Sequence, residues 1–364
     1  MPFIKERGSP TAKIWIILER PYGSDIPKGV LLSGGMGSVY AKMLREAGLE
    51  LDDCYVCCRR PNTDADNAFA IFDGPFSQYQ PPFILAVNEV GTSYLPELCI
   101  KGDKDVWRGQ LQKNAGSLLT SANIAHPHYM MPVYGPDRAV SDWQERNVTT
   151  YVDFQKLRDE LQYYRKHGAL QPLPERKLVY GDLDCDDILQ RLDAFKNSEL
   201  ISVDIETVYP REKSAFHPHP GYPVTVGLAD SANFGISFNL FRDNPKENRA
   251  IWRALDSILR KVRVLGQNFF NFDALFFESL GFKIELIKVQ DTLIRHHILW
   301  PELSHKLQFM TRQYTREPYY KDEGHGWSVK NMDKLRRYNC LDVCVTYEIY
   351  EQQEEEFKQR PHLR

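Results

Sequence analysis

The chain has 364 residues, of which 42% are hydrophobic and 26% charged, enough apolar material for two globular domains and too much for a disordered or fibrous protein. Its net charge of -3 gives no global attraction to nucleic acid, so any phosphate binding has to come from local basic groups or bound metal. Seven scattered cysteines predict reduced thiols; no run approaches the ~20 apolar residues of a membrane span and MPFIKERGSP has no apolar signal core, so the sequence predicts a cytosolic protein with no membrane partner.

In chain order, AKIWIIL predicts a buried strand, MGSVYAKMLREAGL an amphipathic helix with Gly48 near its end, and CYVCC and FILAV two further strands. Strands alternating with helices predict an α/β layer domain. Residues 136–168 carry helix-like spacing through Val148, Val152, Phe154, Leu157, Leu161 and Tyr164, with a stop at Gly168. The prolines of ALQPLPERK predict a linker over 169–177, dividing a first domain, 1–168, from a second, 178–364. In the second, LISVDIE predicts a strand, VTVGLA and NFGISFNL a hairpin turning at Asp230–Asn233, and KVRVLGQ another strand. Helices are predicted over 184–196, 246–260, 271–280, 291–300 and 331–356, and this order points to a mixed sheet.

The strand ISVDIET ends in two carboxylates. With a period of two, Asp204 and Glu206 share one face while Val203 and Ile205 take the other. Neighbouring like charges raise each other's pKa, and a divalent metal would compensate; a strand end turning into solvent is the plainer reading. In VLGQNFFNFDALFFESLG a strand and loop lead into a short helix that Asn271 is placed to cap and Gly281 to close. Asp273 falls in its first turn, where a carboxylate also serves simply to stabilise the helix. In RRYNCLDVCVTYEIY, Tyr338 and Asp342 stand four apart on one helical face, and Asp342 lies among Leu341, Val343 and Val345, a setting an unpaired carboxylate avoids.

Asp-x-Glu on a strand, Asn-x4-Asp opening a helix and Tyr-x3-Asp on a late helix together resemble the DEDD superfamily of 3′-5′ exonucleases. Tyr338 places the likeness in the DEDDy branch, since the position that carries histidine in the other branch is Arg337. Gly266, Gln267 and Asn268 are similar to the second motif of proofreading domains in family A DNA polymerases, and QDTLIRHHILWPEL and EPYYKDEGHGW resemble phage-encoded members. The resemblance covers about 178–356 and implies an RNase H-like exonuclease fold.

It also implies two Mg²⁺ or Mn²⁺ ions: Asp204 bridging both, Glu206 and Asp342 completing the first site, and Asp273 holding the second, partly through water. Tyr338 would orient the attacking water, and a nucleoside 5′-monophosphate would leave from a single-stranded DNA 3′ end. Gln267 and Asn268, and Tyr320 and Lys321 in a loop-like stretch, are the candidate DNA contacts here. Phe269, Phe270 and Phe272 read as core packing, as do Cys340 and Cys344, and His217 and His219 sit in a proline-rich turn that needs no metal.

In the first domain, WIILERPYGSD, GGMGSVYAKMLREAGL, CYVCCRRP and IAHPHYMM follow the motif order of the uracil-DNA glycosylase superfamily, particularly its iron-sulfur families. Glu19 and Pro21, Gly34 and Gly37, and His126-Pro127 carry the likeness. Residues 1–13 hold no cysteine pair, so no iron-sulfur cluster is expected, and Cys54 and Cys57 read as buried structural thiols. Leu32 stands where an aromatic would stack on uracil, and the base-reading amide is missing near Tyr55. The expectation is a glycosylase-like α/β domain without glycosylase activity, steering DNA toward the nuclease or docking a separate DNA polymerase chain, with Arg59, Arg60 and Arg108 as candidate phosphate contacts. The whole then reads as a stand-alone proofreading subunit, in the host cytoplasm if phage-encoded; RNA trimming and bifunctional uracil-excision repair are the alternatives.

Overall fold

Successive residues of a strand alternate between the two faces of its sheet, and in this chain the central strands send side chains into packed clusters on both faces. The computed structural model describes residues 4–58, 75–88, 111–120, 126–208, 221–324 and 332–363. They form two compact units, Met1–Leu173 with Arg316–Tyr319, and Pro174–Thr315 with Tyr320–Arg364.

The first unit is built on β1 (Ile14–Leu18), β2 (Cys54–Cys58), β3 (Phe83–Val87) and β4 (Tyr129–Val133), all parallel in the order β2-β1-β3-β4 and buried throughout. Ile14, Ile16 and Leu18 pack with Tyr40, Met43 and Leu44 of α1 (Gly35–Glu46) and with Leu157 and Leu161 of α2 (Gln155–His167). Trp15 and Ile17 turn to the opposite face with Tyr55, Cys57 and Phe76. Cys54 and Cys57 therefore point to opposite sides of β2, which excludes a shared metal half-site. Burial pushes the Cys54 thiol up to about 12 and Cys57 well above its ordinary value, so both are neutral packing groups.

The helical run expected over 136–168 is not continuous. Helix Pro136–Ser141 stops at Asp142, whose extended backbone (φ -141°, ψ 102°) breaks the spiral while its carboxylate accepts the N–H groups of Gln144 and Glu145 and starts Trp143–Val148. A wider turn over Thr149–Phe154 then leads into α2, which ends at a left-handed Gly168. Arg316 joins this unit because its guanidinium grips the buried Glu160 carboxylate at 2.5 and 3.0 Å and the Gln171 carbonyl at 2.8 Å.

The second unit holds β5 (Lys177–Val179), β6 (Leu200–Val208), β7 (Tyr222–Ser231), β8 (Phe234–Asn239), β9 (Arg263–Gly266) and β10 (Gln290–Asp291) in the order β10-β9-β6-β7-β8-β5. The hairpin pairs β6-β7-β8 are antiparallel and the others parallel, so the sheet is mixed, as the sequence predicts. One face, through Ile201, Val203, Ile205, Val226 and Leu228, packs on Ile188 and Leu192 of α3 (Cys185–Phe195) and Ile251, Leu255 and Ile258 of α4 (Pro245–Lys261). α5 (Asp273–Ser279), α6 (Thr292–Leu299) and α7 (Leu307–Tyr314) follow, and the long α8 (Met332–Gln359) covers the other face of β6, β7 and β8. Neither α7 nor β5 is predicted from the sequence.

His296 of α6 is fully buried, between Gln313 Oε1 at 2.9 Å and His305 Nδ1 at 2.7 Å, while His297 Nδ1 meets the other ring nitrogen of His305 at 3.0 Å. Burial holds His296 down at about 4, with the neighbouring His305 and His297 adding to the fall against Gln313 and Glu302. The unfolded chain takes up this proton near ~6.5, so the stability from neutral His296 is complete above that pH and is lost as pH falls through about 4. Urea midpoints measured from about pH 7 down to about 4.5 should therefore fall, and less steeply for H296N; equal slopes for the two proteins would contradict this assignment.

Candidate active site

Asp204 and Glu206 lie on the α8 side of β6, and the opposite-facing Val203 and Ile205 anchor the strand in the core. Across the sheet Asp204 pairs with Gly227 of β7, which pairs in turn with Ser237 of β8. A Cβ on Gly227 would stand 2.9 Å from both the backbone oxygen and Oδ1 of Asn339, and one on Gly235 would stand 2.7 Å from Cys344 Sγ. These glycines let α8 lie directly on the sheet. Asn339, fully buried in the space over Gly227, donates through Nδ2 to Asp204 Oδ2 at 2.7 Å and accepts from Ser237 Oγ at 2.7 Å and Thr225 Oγ1 at 3.4 Å. The amide thereby fixes one carboxylate oxygen of Asp204 in place.

On the same helix Tyr338 and Asp342, one turn apart, share the face that the sequence predicts, and Asp342 is buried. Single oxygens of Asp204, Glu206 and Asp342 all come within 4.8 Å of one another. Tyr320, packed against Leu307 and Met310 of α7, donates its hydroxyl to Asp342 Oδ1 at 2.6 Å. Lys321 Nζ donates to both Asp342 oxygens at 2.7 Å and to the Tyr338 hydroxyl at 2.9 Å.

Asp273 is also buried but is not part of that three-oxygen group; its Oδ1 accepts the backbone N–H of Ile205, the residue between the two strand acids, at 3.0 Å. Asn271 does not cap this helix. Asn268 takes a left-handed conformation (φ 59°, ψ 28°), a short 3-10 turn over Phe269–Asn271 follows, and α5 starts only at Asp273, leaving Asn271 to donate to Asn268 Oδ1. The backbone N–H of Asn268 is held by Asp291 at 2.9 Å, and the Gln267 amide donates to the His305 carbonyl at 3.1 Å. Arg59, Arg60, Arg108, His217 and His219 lie outside the described residues.

The electrostatics follow from concentrating acids in a dry place. Burial, then the Asp342 charge, pushes Asp204 up to about 7, with Lys321 and the Asn339 hydrogen bond working against the rise. Glu206 is raised well above the usual range by burial and by Asp204 and Asp342, and Asp273 by burial and Asp204. The Tyr338 hydroxyl is likewise raised by burial and the surrounding acids, so it stays protonated. Three hard oxygen donors crowded together suit a divalent cation, whose charge reverses the repulsion between them. The donor set therefore fits the divalent metal that the sequence motifs imply.

No protein-family model matches the chain, and no curated protein matches it. Among solved structures it is similar to the catalytic core of RRP6 from Trypanosoma brucei, with a TM-score of 0.38 and 12% identity over 53% of this chain and 52% of that one. It is also similar to the EXO domain of Nibbler from Aedes aegypti (TM-score 0.41, 16% identity, 52% of this chain and 93% of that one). The third is Escherichia coli RNase D, an exoribonuclease involved in structured RNA processing (TM-score 0.39, 16% identity, 52% of this chain and 48% of that one). The matched region is about half the length of the RRP6 and RNase D chains. These likenesses assign no residue a role, and the site is read from its own geometry.

Truncating Asn339 to alanine leaves Asp204, Ser237 and Thr225 without their shared partner, so N339A is expected to lower the unfolding free energy by about 1–3 kcal/mol. G227A, which drives a methyl group into the same amide, should fall in the same direction. Urea denaturation checks both; wild-type stability in the pair would show that the network does not hold the strand and helix together.

Proposed function

We propose that the second unit is a metal-dependent 3′-5′ exonuclease that shortens DNA from its 3′ end and releases nucleoside 5′-monophosphates. The observation that carries this reading is the convergence of Asp204, Glu206 and Asp342 within 4.8 Å beside the Tyr338 hydroxyl. Asp204, Glu206 and Asp342 would hold one ion, and Asp273, whose carboxyl is raised by burial and by the nearby Asp204 charge, is the candidate holder of a second. When bound, such ions neutralise the phosphate, acidify water and stabilise the departing oxyanion.

The chain's own groups do the rest. The protonated Tyr338 hydroxyl is able to donate to and orient the attacking water, whose oxygen bonds to the terminal phosphorus as the P–O3′ bond breaks. The penultimate nucleotide then keeps the 3′ oxygen and takes up a proton. Asn339 keeps Asp204 aimed throughout. Gln267, Asn268, Tyr320 and Lys321 are the candidate DNA contacts, of which Tyr320 and Lys321 hydrogen-bond Asp342.

The first unit is proposed to be a non-catalytic, glycosylase-like module that binds DNA or a separate polymerase chain. Support comes from Leu32, which is 1% exposed, is held by its backbone N–H to the buried Asp25, and so presents no surface on which a base could stack. The proofreading role proposed for the whole rests on the likeness of Gly266, Gln267 and Asn268 to the second motif of polymerase proofreading domains.

Digestion of 5′-end-labelled single-stranded DNA, duplex with a mismatched 3′ end, matching RNA and uracil-containing DNA tests the reading. A ladder shortening from the 3′ end of DNA in Mg²⁺, silent in EDTA and free of abasic product, is expected, and D204A or D342A should lose at least about a hundredfold in rate with an unchanged circular dichroism spectrum. Undiminished cleavage by either variant would refute the assignment, and preference for RNA would move the substrate to RNA ends.

A further inference from the structure

Lys321 is placed unlike an ordinary surface lysine. Its ammonium has three N–H bonds, and hydrogen bonds run to Oδ1 and Oδ2 of Asp342, both at 2.7 Å, and to the Tyr338 hydroxyl at 2.9 Å. It lies 4.8 Å from the ring centre of Tyr338 and 5.1 Å from that of Tyr320, which shelter it from water. The side chains of the pair are 16% and 6% exposed. Both oxygens of a carboxylate in the three-acid cluster are thus engaged by one half-buried cation. The stem that carries it is long and flexible, and its charge is compact, so the same group is able to hold Asp342 or to leave it.

Resting on the metallonuclease reading above, we propose that Lys321 is the resident counter-ion of the carboxylate cluster: it neutralises Asp342 in the metal-free protein and yields it to the incoming divalent cation. Three acids crowded at the end of β6 and on α8 would otherwise face one another uncompensated in the metal-free chain. Breaking a buried pair by removing one partner leaves an unpaired charge, a strongly destabilising event, whereas a cation arriving from solvent replaces the lost partner. Metal binding and the Lys321–Asp342 ion pair are therefore alternatives. The protein gains a fold that does not depend on metal, and its affinity for metal is set lower than three free carboxylates would give.

Two readouts that do not involve hydrolysis test this on the full chain: thermal unfolding in EDTA and in Mn²⁺, and Mn²⁺ binding by calorimetry. K321M should melt below wild type in EDTA, show the larger rise on adding Mn²⁺, and bind Mn²⁺ at least about tenfold more tightly. The double variant K321M/D342N separates charge from packing. If Lys321 acts as counter-ion, the double variant melts in EDTA no lower than D342N; if the lysine only fills space, it melts as far below D342N as K321M does below wild type. That second result, or Mn²⁺ binding by K321M equal to or weaker than wild type, would overturn the inference while leaving the metal site intact. Absence of Mn²⁺ binding by wild type itself would remove the metallonuclease reading and this inference with it.

Discussion

The 2.7 Å hydrogen bond from the Asn339 amide to Asp204 is the contact on which the site's geometry depends, because it ties the strand that carries two acids to the helix that carries the third. It exists only because the α8 side of the sheet is built from small residues. Ser202, Ala229 and Gly235 form one row across β6, β7 and β8, and Asp204, Gly227 and Ser237 form the next. Any side chain at Gly227 would push the helix away and carry Asn339, Tyr338 and Asp342 with it. The opposite face of the same strands is packed with Ile, Val and Leu, so the sheet itself cannot give way. Acids held this firmly cannot relax apart, which is what makes their mutual repulsion available to a metal.

That repulsion has a cost in the metal-free protein, and the local structure shows how it is contained. The Asn339 amide and the backbone N–H of Ile205 each take one carboxylate oxygen, Tyr320 takes a third, and Lys321 supplies the opposing charge. Asn339 and Ile205 donate from the core of α8 and β6, while Tyr320 and Lys321 donate from the segment that follows α7, anchored there by the buried Tyr320 ring. A preorganised cluster of this kind loses little conformational freedom when it binds a cation, and little is left to adjust during a reaction.

Much of this was legible in the sequence, for reasons that can be named. Period two puts Asp204 and Glu206 on one face, and a four-residue step puts Tyr338 above Asp342; both rules are local and both hold in the structure. Asn339 and Gly227 were not legible as site residues, since their roles depend on a helix and a strand more than a hundred residues apart meeting at one point. Asn271 read as a helix cap because the left-handed turn at Asn268 leaves no sequence signal strong enough to shift the helix start by two residues. The long helical run over 136–168 hid the break at Asp142, where an aspartate serves as a cap inside an otherwise periodic stretch. The strand Lys177–Val179 is too short to show alternation, and the helix Leu307–Tyr314 is too short to show more than two turns.

Whether Asp204, Glu206 and Asp342 bind divalent metal together is decided by anomalous scattering from crystals of the full chain grown with Mn²⁺ and a short single-stranded DNA. The expected result is a Mn²⁺ peak within bonding distance, about 2.0–2.3 Å, of one oxygen from each of the three. Crystals that diffract well and contain ordered Mn²⁺ elsewhere, with water or Lys321 alone between these carboxylates at saturating metal, would contradict it.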